Sequence, residues 1–275
     1  MIPNGVRLGG MTRIPVPPPG TEPPKPDMTV EKAREIRAKL NTFLDECGVY
    51  PRPSNEIDGV SFAMYSRMAE LHESLCILVD QGRRRDAAIL ARTLCEAQIS
   101  YYWLTNKDIT ERFNRYIKFG AQVRRQNLKR IDEFYELAED PDYGVDEELL
   151  AEAEELFKNA AQWNEKSLYE MANEHDEHDE RVDKTKSANN AQYRLFYFWF
   201  SLLAHPSAEA IQNFFPPARE PFRTDRPPEA YQGFQEQTVA FLSTMWLFTI
   251  FIRMDLTLGL QLGEKIESLW NEIHA

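Results

Sequence analysis

Along most of the chain apolar residues recur at intervals of three and four, the spacing of one helix face, and no stretch alternates as a strand would. Thr29 stands ahead of the first such segment and Gly48 just behind it, which predicts a capped helix running to about Cys47. After the proline-broken stretch Tyr50–Ser54 a second helix is predicted from about Glu56 to Gln81. Its core stripe is Val60, Met64, Met68, Leu71, Leu75 and Leu78, and Gly82 stops it. The next stretch, Asp86–Leu104 (DAAILARTLCEAQISYYWL), is apolar on nearly every face, as a helix inside a protein must be. Past Asp86 its charges are Arg92 and Glu96, four apart and therefore neighbours on one face. A lone charge in a core is costly, so the expectation is a central helix with a sealed ion pair built into it.

The pattern continues as helices. Asp108 and Glu111 fit a capping box for a helix through about Ala138, with Phe113, Ile117, Leu128, Ile131 and Tyr135 as its core stripe. Arg112, Arg115, Lys118, Arg125 and Lys129 recur along the same helix as a cationic stripe. Pro141 and Gly144 break the chain ahead of an acidic helix, Asp146 to Trp163. A short helix from Ser167 to Asn173 has its own capping box in Ser167 and Glu170. The polar run Glu174–Asn190 lacks periodicity and reads as a surface loop. Ala191–His205 (AQYRLFYFWFSLLAH) is a second helix apolar all round, ended by Pro206. Phe214–Pro228 is proline-rich and irregular, and Pro228 suits the start of one long final helix ending near His274. That helix carries the longest apolar run, Val239–Ile252, whose 14 residues fall short of the roughly 18 a membrane span needs. It reads as a core helix, and no membrane association is expected.

Composition adds a domain plan. With 275 residues and 43 % hydrophobic content the chain can bury a sizeable core, and the pattern gives an all-α fold, a single multi-helix bundle over residues 28–275. Residues 1–27 hold 8 of the 17 prolines and read as a disordered, Pro-rich tail of polyproline II character. Its PxxP spacings, Pro15 to Pro18 and Pro23 to Pro26, suit an aromatic groove, although a plain linker is the favoured reading. The three cysteines, Cys47, Cys76 and Cys95, have no metal-ligand spacing and fit a reducing compartment. The N-terminus carries no basic stretch followed by an apolar core, so a cytoplasmic location is expected.

Charge is unevenly placed. The net charge is −12, yet residues 131–183 alone hold 20 acidic against 3 basic residues, and Arg83–Arg130 holds 12 basic against 4 acidic. A basic surface for phosphates is one consequence of that split. The preferred one is pairing of the cationic stripe with the acidic helix that follows Pro141, which leaves RNA the disfavoured partner.

Candidate chemistry is sparse. Arg92 and Glu96 make either a register-fixing ion pair or a polar pocket. Ser201 and His205 lie four apart on the Ala191–His205 helix, with His205 at its end before Pro206. Packing of the two apolar helices would gather Arg92, Glu96, Ser201 and His205 into one cluster. A Ser201–His205–Glu96 triad lacks both a nucleophile elbow and a glycine-rich oxyanion loop. His175 and His178 sit in an acidic run without a third ligand, and the phosphate-loop and zinc-enzyme motifs are missing. No cofactor and no metal are implied.

Three segments, LARTLCEAQISYYWL, WNEKSLYEMA (Trp163–Ala172) and FWFSLLAHPSAEA (Phe198–Ala210), carry a resemblance. Together, over roughly residues 56 to 212, they resemble the bacterial family catalogued as domain of unknown function 5677, which implies an all-α fold and no assigned activity. The Ser-x3-His-Pro end is also similar to HEPN nucleases, in which an Arg and a His separated by four to six intervening residues cleave RNA without metal. That spacing lands here on Phe198, Trp199 and Phe200, none of them basic, so Arg92 would have to supply the charge. Two function classes follow. The first is a non-catalytic interaction or regulatory module in bacterial defence or stress, with an unknown protein partner or self-association. The alternative is a HEPN-like ribonuclease with His205 as base and Arg92 steadying the phosphate.

Overall fold

The computed structural model describes residues 28–48, 56–135, 147–157, 166–178, 193, 197 and 236–274. The proline-rich tail (residues 1–27), the 50–54 turn and the irregular 214–228 stretch lie outside the described residues. So does the helix expected over Ala191–His205, apart from Tyr193 and Tyr197. Among the described residues there are eight helices and no strand: α1 (Val30–Glu46), α2 (Glu56–Asp80), α3 (Arg84–Asn106), α4 (Ile109–Tyr135), α5 (Glu147–Leu156), α6 (Leu168–His178), α7 (Glu236–Leu258) and α8 (Gly263–His274). The fold is all-α, as the periodicity predicted.

The helix ends follow local chemistry. Thr29 accepts a hydrogen bond from the Lys32 amide at 3.1 Å and opens α1. Ser167 and Glu170 close their capping box, with the Ser167 amide 2.7 Å from the Glu170 carboxylate and the Glu170 amide 3.3 Å from Ser167 Oγ. Gly82, at φ +70°, turns α2 into α3, a conformation that a Cβ would penalise.

Helices α3 and α7 share the centre: α3 packs on α2, α4, α6 and α7, as its pattern predicted, and α7 packs on α1, α2 and α3, with its Trp246, Leu247, Phe248, Ile250, Phe251 and Met254 buried. Burial of each such side chain stabilises by about 1.5–3 kcal/mol. Phe251 meets Tyr65 of α2 edge-on at 5.5 Å, and Phe248 stacks on Trp270 of α8 at 5.8 Å. Gln237–Leu258 is long and apolar enough, by length and composition alone, to cross a membrane, yet most of it lies inside the bundle.

Three expectations change. The final helix is two helices, not one. Gly259 at φ +66° ends α7, and the Asp255 carboxylate accepts from the Leu262 amide at 3.1 Å to start α8 at a new angle. Helix α3 is not apolar all round in practice: Ala87, Ala91, Leu94, Gln98 and Ile99 face inward, while Ile89 and Thr93 are exposed. Among the α4 stripe residues whose burial is described, only Phe113 is buried, and Ile131 is 47 % exposed. Among the described helices α4 packs on α5 and α3.

The α4–α5 pairing itself follows the charge pattern. Lys118 meets Glu152 at 2.5 Å, Arg125 meets Glu154 at 3.3 Å, and Phe119 meets Phe157 edge-on at 5.3 Å. The acidic helix pairs with Lys118 and Arg125 of the basic stripe, and Arg115 lies over the Phe157 ring. Lys129 is exposed and Arg112 turns inward.

Candidate functional site

Two arginine–glutamate centres lie along α3, one within it and one where its end meets α4 and α6, about 16 Å apart by the helical rise from residue 92 to residue 103. The first contains the pair named from sequence. Arg92 Nε donates to Glu96 Oε1 at 3.1 Å, across one turn of α3. Arg92 Nη2 donates to the Tyr197 hydroxyl at 3.1 Å, and its guanidinium lies 5.0 Å from the centre of that ring. Arg92 thus joins Glu96 and Tyr197 into one group. Tyr197 stacks on Tyr193 at 4.8 Å and 19°, and Tyr193 meets Tyr169 of α6 at 5.5 Å.

This centre is not sealed. The Arg92 side chain is 22 % exposed and that of Glu96 36 %. Burial opposes the Arg92 charge, but the hydrogen bond to Tyr197 and the charge of Glu96 outweigh it and hold its pKa up. Burial pushes the Tyr193 and Tyr197 phenols upward, so both keep their protons at neutral pH. The result is a half-open surface with a fork of N–H donors, a carboxylate, two phenolic hydroxyls and a stack of rings.

The second centre was not read from sequence. Glu174 belongs to α6, not to a surface loop, and it is 5 % exposed. Its Oε1 accepts from Arg112 Nη2 at 2.6 Å and faces Lys107 Nζ at 3.2 Å. Its Oε2 accepts from Trp103 Nε1 at 3.1 Å and from Lys166 Nζ. Arg112 lies 3.7 Å over the Trp103 ring and donates to the Trp103 carbonyl at 2.5 Å. Burial would raise the Glu174 carboxyl, but the donors from Lys166, Arg112, Trp103 and Lys107 reverse that and hold it far below the usual carboxylate range. The buried carboxylate therefore locks α6 to the α3–α4 corner. No local pattern marks it, because Arg112 and Glu174 are 62 residues apart. The one available hint was that a helix capped at Ser167 had no stop signal before Glu174.

A third polar group sits in the core. Thr244 donates to the Ala240 carbonyl at 2.7 Å, so its hydroxyl must accept from Nε2–H of His72, 3.0 Å away. Nδ1 of His72 is then an acceptor and faces the Cys76 thiol at 3.8 Å. Burial, with the charges of Arg37 and Arg34, brings His72 down to about 3, and burial raises Cys76 to about 12. A cysteine–histidine pair one helical turn apart resembles a nucleophilic dyad. Here both members are neutral and closed to solvent, so the pair is structural.

Of the predicted site residues, Arg92 and Glu96 are brought together, with Tyr197 as third member. Ser201 and His205 lie outside the described residues. Among the described residues no group of histidine, cysteine and acidic side chains could hold a metal ion. A cleft of about 410 Å³ opens where Cys47, Asp58 and Phe62 meet the α7–α8 turn, remote in sequence from every predicted site residue.

No curated protein and no solved structure matches the chain. A family model does, over residues 58–218, a span that contains Arg92, Glu96, Arg112, Glu174, Ser201 and His205. Since that span exceeds half the chain and takes in both arginine–glutamate centres, the protein belongs to the family of unknown function DUF5677.

Proposed function

We propose that this protein is a non-catalytic, cytoplasmic interaction module that meets a protein partner through the Arg92–Glu96–Tyr197 surface. The observation that carries this reading is the half-open group that Arg92 makes with Glu96 and Tyr197, with Tyr193 stacked beside it. Tyrosine and arginine are the residue types that anchor protein interfaces, because they offer wide rings and forked donors at small entropic cost. Arg92 is held by Glu96 and Tyr197, and the His72–Cys76 pair is neutral and sealed, so neither supplies a poised acid or base.

The test places a photocrosslinking residue at exposed Thr93, beside Arg92, and a second one at exposed Thr110 on α4. A discrete adduct in the native cell from position 93, absent from position 110 and lost with Arg92→Ala, is the expected result. The competing reading is a HEPN-like ribonuclease using His205 with Arg92. Metal-independent cleavage of RNA by the purified protein, abolished by His205→Ala, would replace the interaction reading with that one.

A further inference from the structure

One face of α4 changes surroundings along its length. Phe113, Gly120, Arg124, Asn127, Ile131 and Phe134 follow at intervals of three, four or seven residues and so share that face. Phe113 is fully buried and meets Tyr101 of α3 edge-on at 6.5 Å. From Gly120 onward the face is exposed, Ile131 by 47 % and Phe134 by 78 %. Lys118, Phe119 and Arg125, which reach α5, lie at least about 120° round the helix from Ile131, at about 100° per residue. Helix α5 therefore stands on the other side. Along the exposed stretch Arg124 and Arg130 make no ion pair among the described residues. Two exposed apolar side chains are left there, flanked by two unpaired cations.

The same chain carries a complementary strip. Helix α5 has five carboxylates and no cation. Its Leu150 and Ala153 are buried, as is Phe157 just past its end, where Phe119 and Arg115 of α4 meet that ring. Glu148, Ala151 and Glu155, spaced three and four, are exposed on the opposite face. Arg124 and Arg130 are separated by a rise of about 9 Å, and Glu148 and Glu155 by about 10.5 Å. Ala151 lies between the two carboxylates, where its small side chain leaves room for a ring. Each strip is about 15 Å long. We infer that the exposed face of α4 in one copy of the chain docks on the exposed face of α5 in a second copy. The two strips point away from each other on one molecule, so a pair joined in this way still has one of each free. The contact is head-to-tail and does not close at the dimer.

A strip of about 15 by 10 Å is far smaller than the roughly 800 Å² per partner of a stable interface, so the association is weak, with a Kd on the order of 0.1 mM. Sedimentation equilibrium of the full-length protein at about 10 µM and about 0.5 mM tests it, since these lie on either side of that Kd. The mean mass should rise with concentration past that of a dimer, and fall back in about 0.5 M salt, where the Debye length is about 4 Å. Arg124→Glu with Arg130→Glu should abolish the rise, and so should Glu148→Arg with Glu155→Arg. An equimolar mixture of these two variants should restore it, because each supplies the strip that complements the other. Phe134→Gln alters a ring outside the core, keeps the fold, and should raise the Kd about tenfold, so it decides the matter if the charge variants do not fold. A protein that stays monomeric at the higher concentration, or associates as well with Glu at 124 and 130, would overturn the proposal. Folded charge variants that stay apart when mixed would do the same. Mass that stops at the dimer would mean a twofold contact and overturn head-to-tail docking.

Discussion

The two arginine–glutamate centres share their chemistry and differ in what surrounds them. Arg92 and Glu96 are 22 % and 36 % exposed, sit one turn apart on a single helix, and gain a tyrosine as third member. Arg112 and Glu174 are 7 % and 5 % exposed, come from two helices, and gain a tryptophan and two lysines. In the first, water screens the charges and can solvate a survivor. In the second, nothing but the network compensates the cost of taking the carboxylate out of water. Similar distances, 3.1 and 2.6 Å, therefore stand for different roles. The open pair keeps contact with solvent; the closed one holds the helix that carries Tyr169 in place.

The sharpest way to break this contrast is to remove one member of the closed pair. Glu174→Leu should cost about 3–5 kcal/mol in denaturant unfolding, since it strands the buried Arg112, and Arg112→Met should cost less, since Lys166, Lys107 and Trp103 still hold the carboxylate. The double variant should cost clearly less than the sum of the two. Additive losses would mean that water reaches Glu174.

Acid should come next. His72 titrates near 3 in the folded protein and near 6.5 in the unfolded chain, so between those values the unfolded chain binds more protons and stability falls as pH falls. The slope from this one group is about 1.4 kcal/mol per pH unit, or about 2 kcal/mol between pH 6.5 and 5. Glu174, whose folded pKa is depressed, adds to the same side: its stabilisation is present above the usual glutamate pKa and is lost below it. Urea unfolding at pH 7 and at pH 5 should show a smaller difference in His72→Gln than in the unaltered protein. Equal differences would remove His72 from the account.

Smaller effects are expected at the open pair. Arg92→Met and Glu96→Leu should each change stability by no more than about 1 kcal/mol, with coupling below that, because a partly exposed i,i+4 pair is worth little. Strong coupling would return the sealed reading. Smallest of all, Lys118→Gln with Arg125→Gln should cost a few tenths of a kcal/mol at low salt and less at high salt. A loss that ignores salt would mean that their aliphatic stems, not their charges, hold α5 to α4.

Much of the fold was legible because it is local. Thr29, Ser167–Glu170 and Gly82 act within a turn of where they stand, so composition at those positions sufficed to place α1, α6 and the α2–α3 turn. The pairing of α4 with α5 was legible too, since opposite charge patterns flank one short connection. Helix boundaries failed for two different reasons. The local Gly259 turn and Asp255 cap split an apolar helix that looked continuous, and the contacts of Glu174 with α3 and α4 extended α6 through a run that looked like loop.

What the sequence alone determined is thus the helical class, most caps, and the i,i+4 relation between Arg92 and Glu96. What only the tertiary structure decided is which polar groups are buried. A helix with apolar residues on every side can lie at the centre or on a flank, and its neighbours choose. Helix α3 packs on α2, α4, α6 and α7 yet keeps part of one face open, and Arg92 and Glu96 fell there beside Tyr197. Arg112 and His72 found their partners 62 and 172 residues away, on α6 and α7. Periodicity reports the neighbours of a residue within its own helix. The cost of burying a charge is settled by atoms from other helices, and these meet only when the chain is packed.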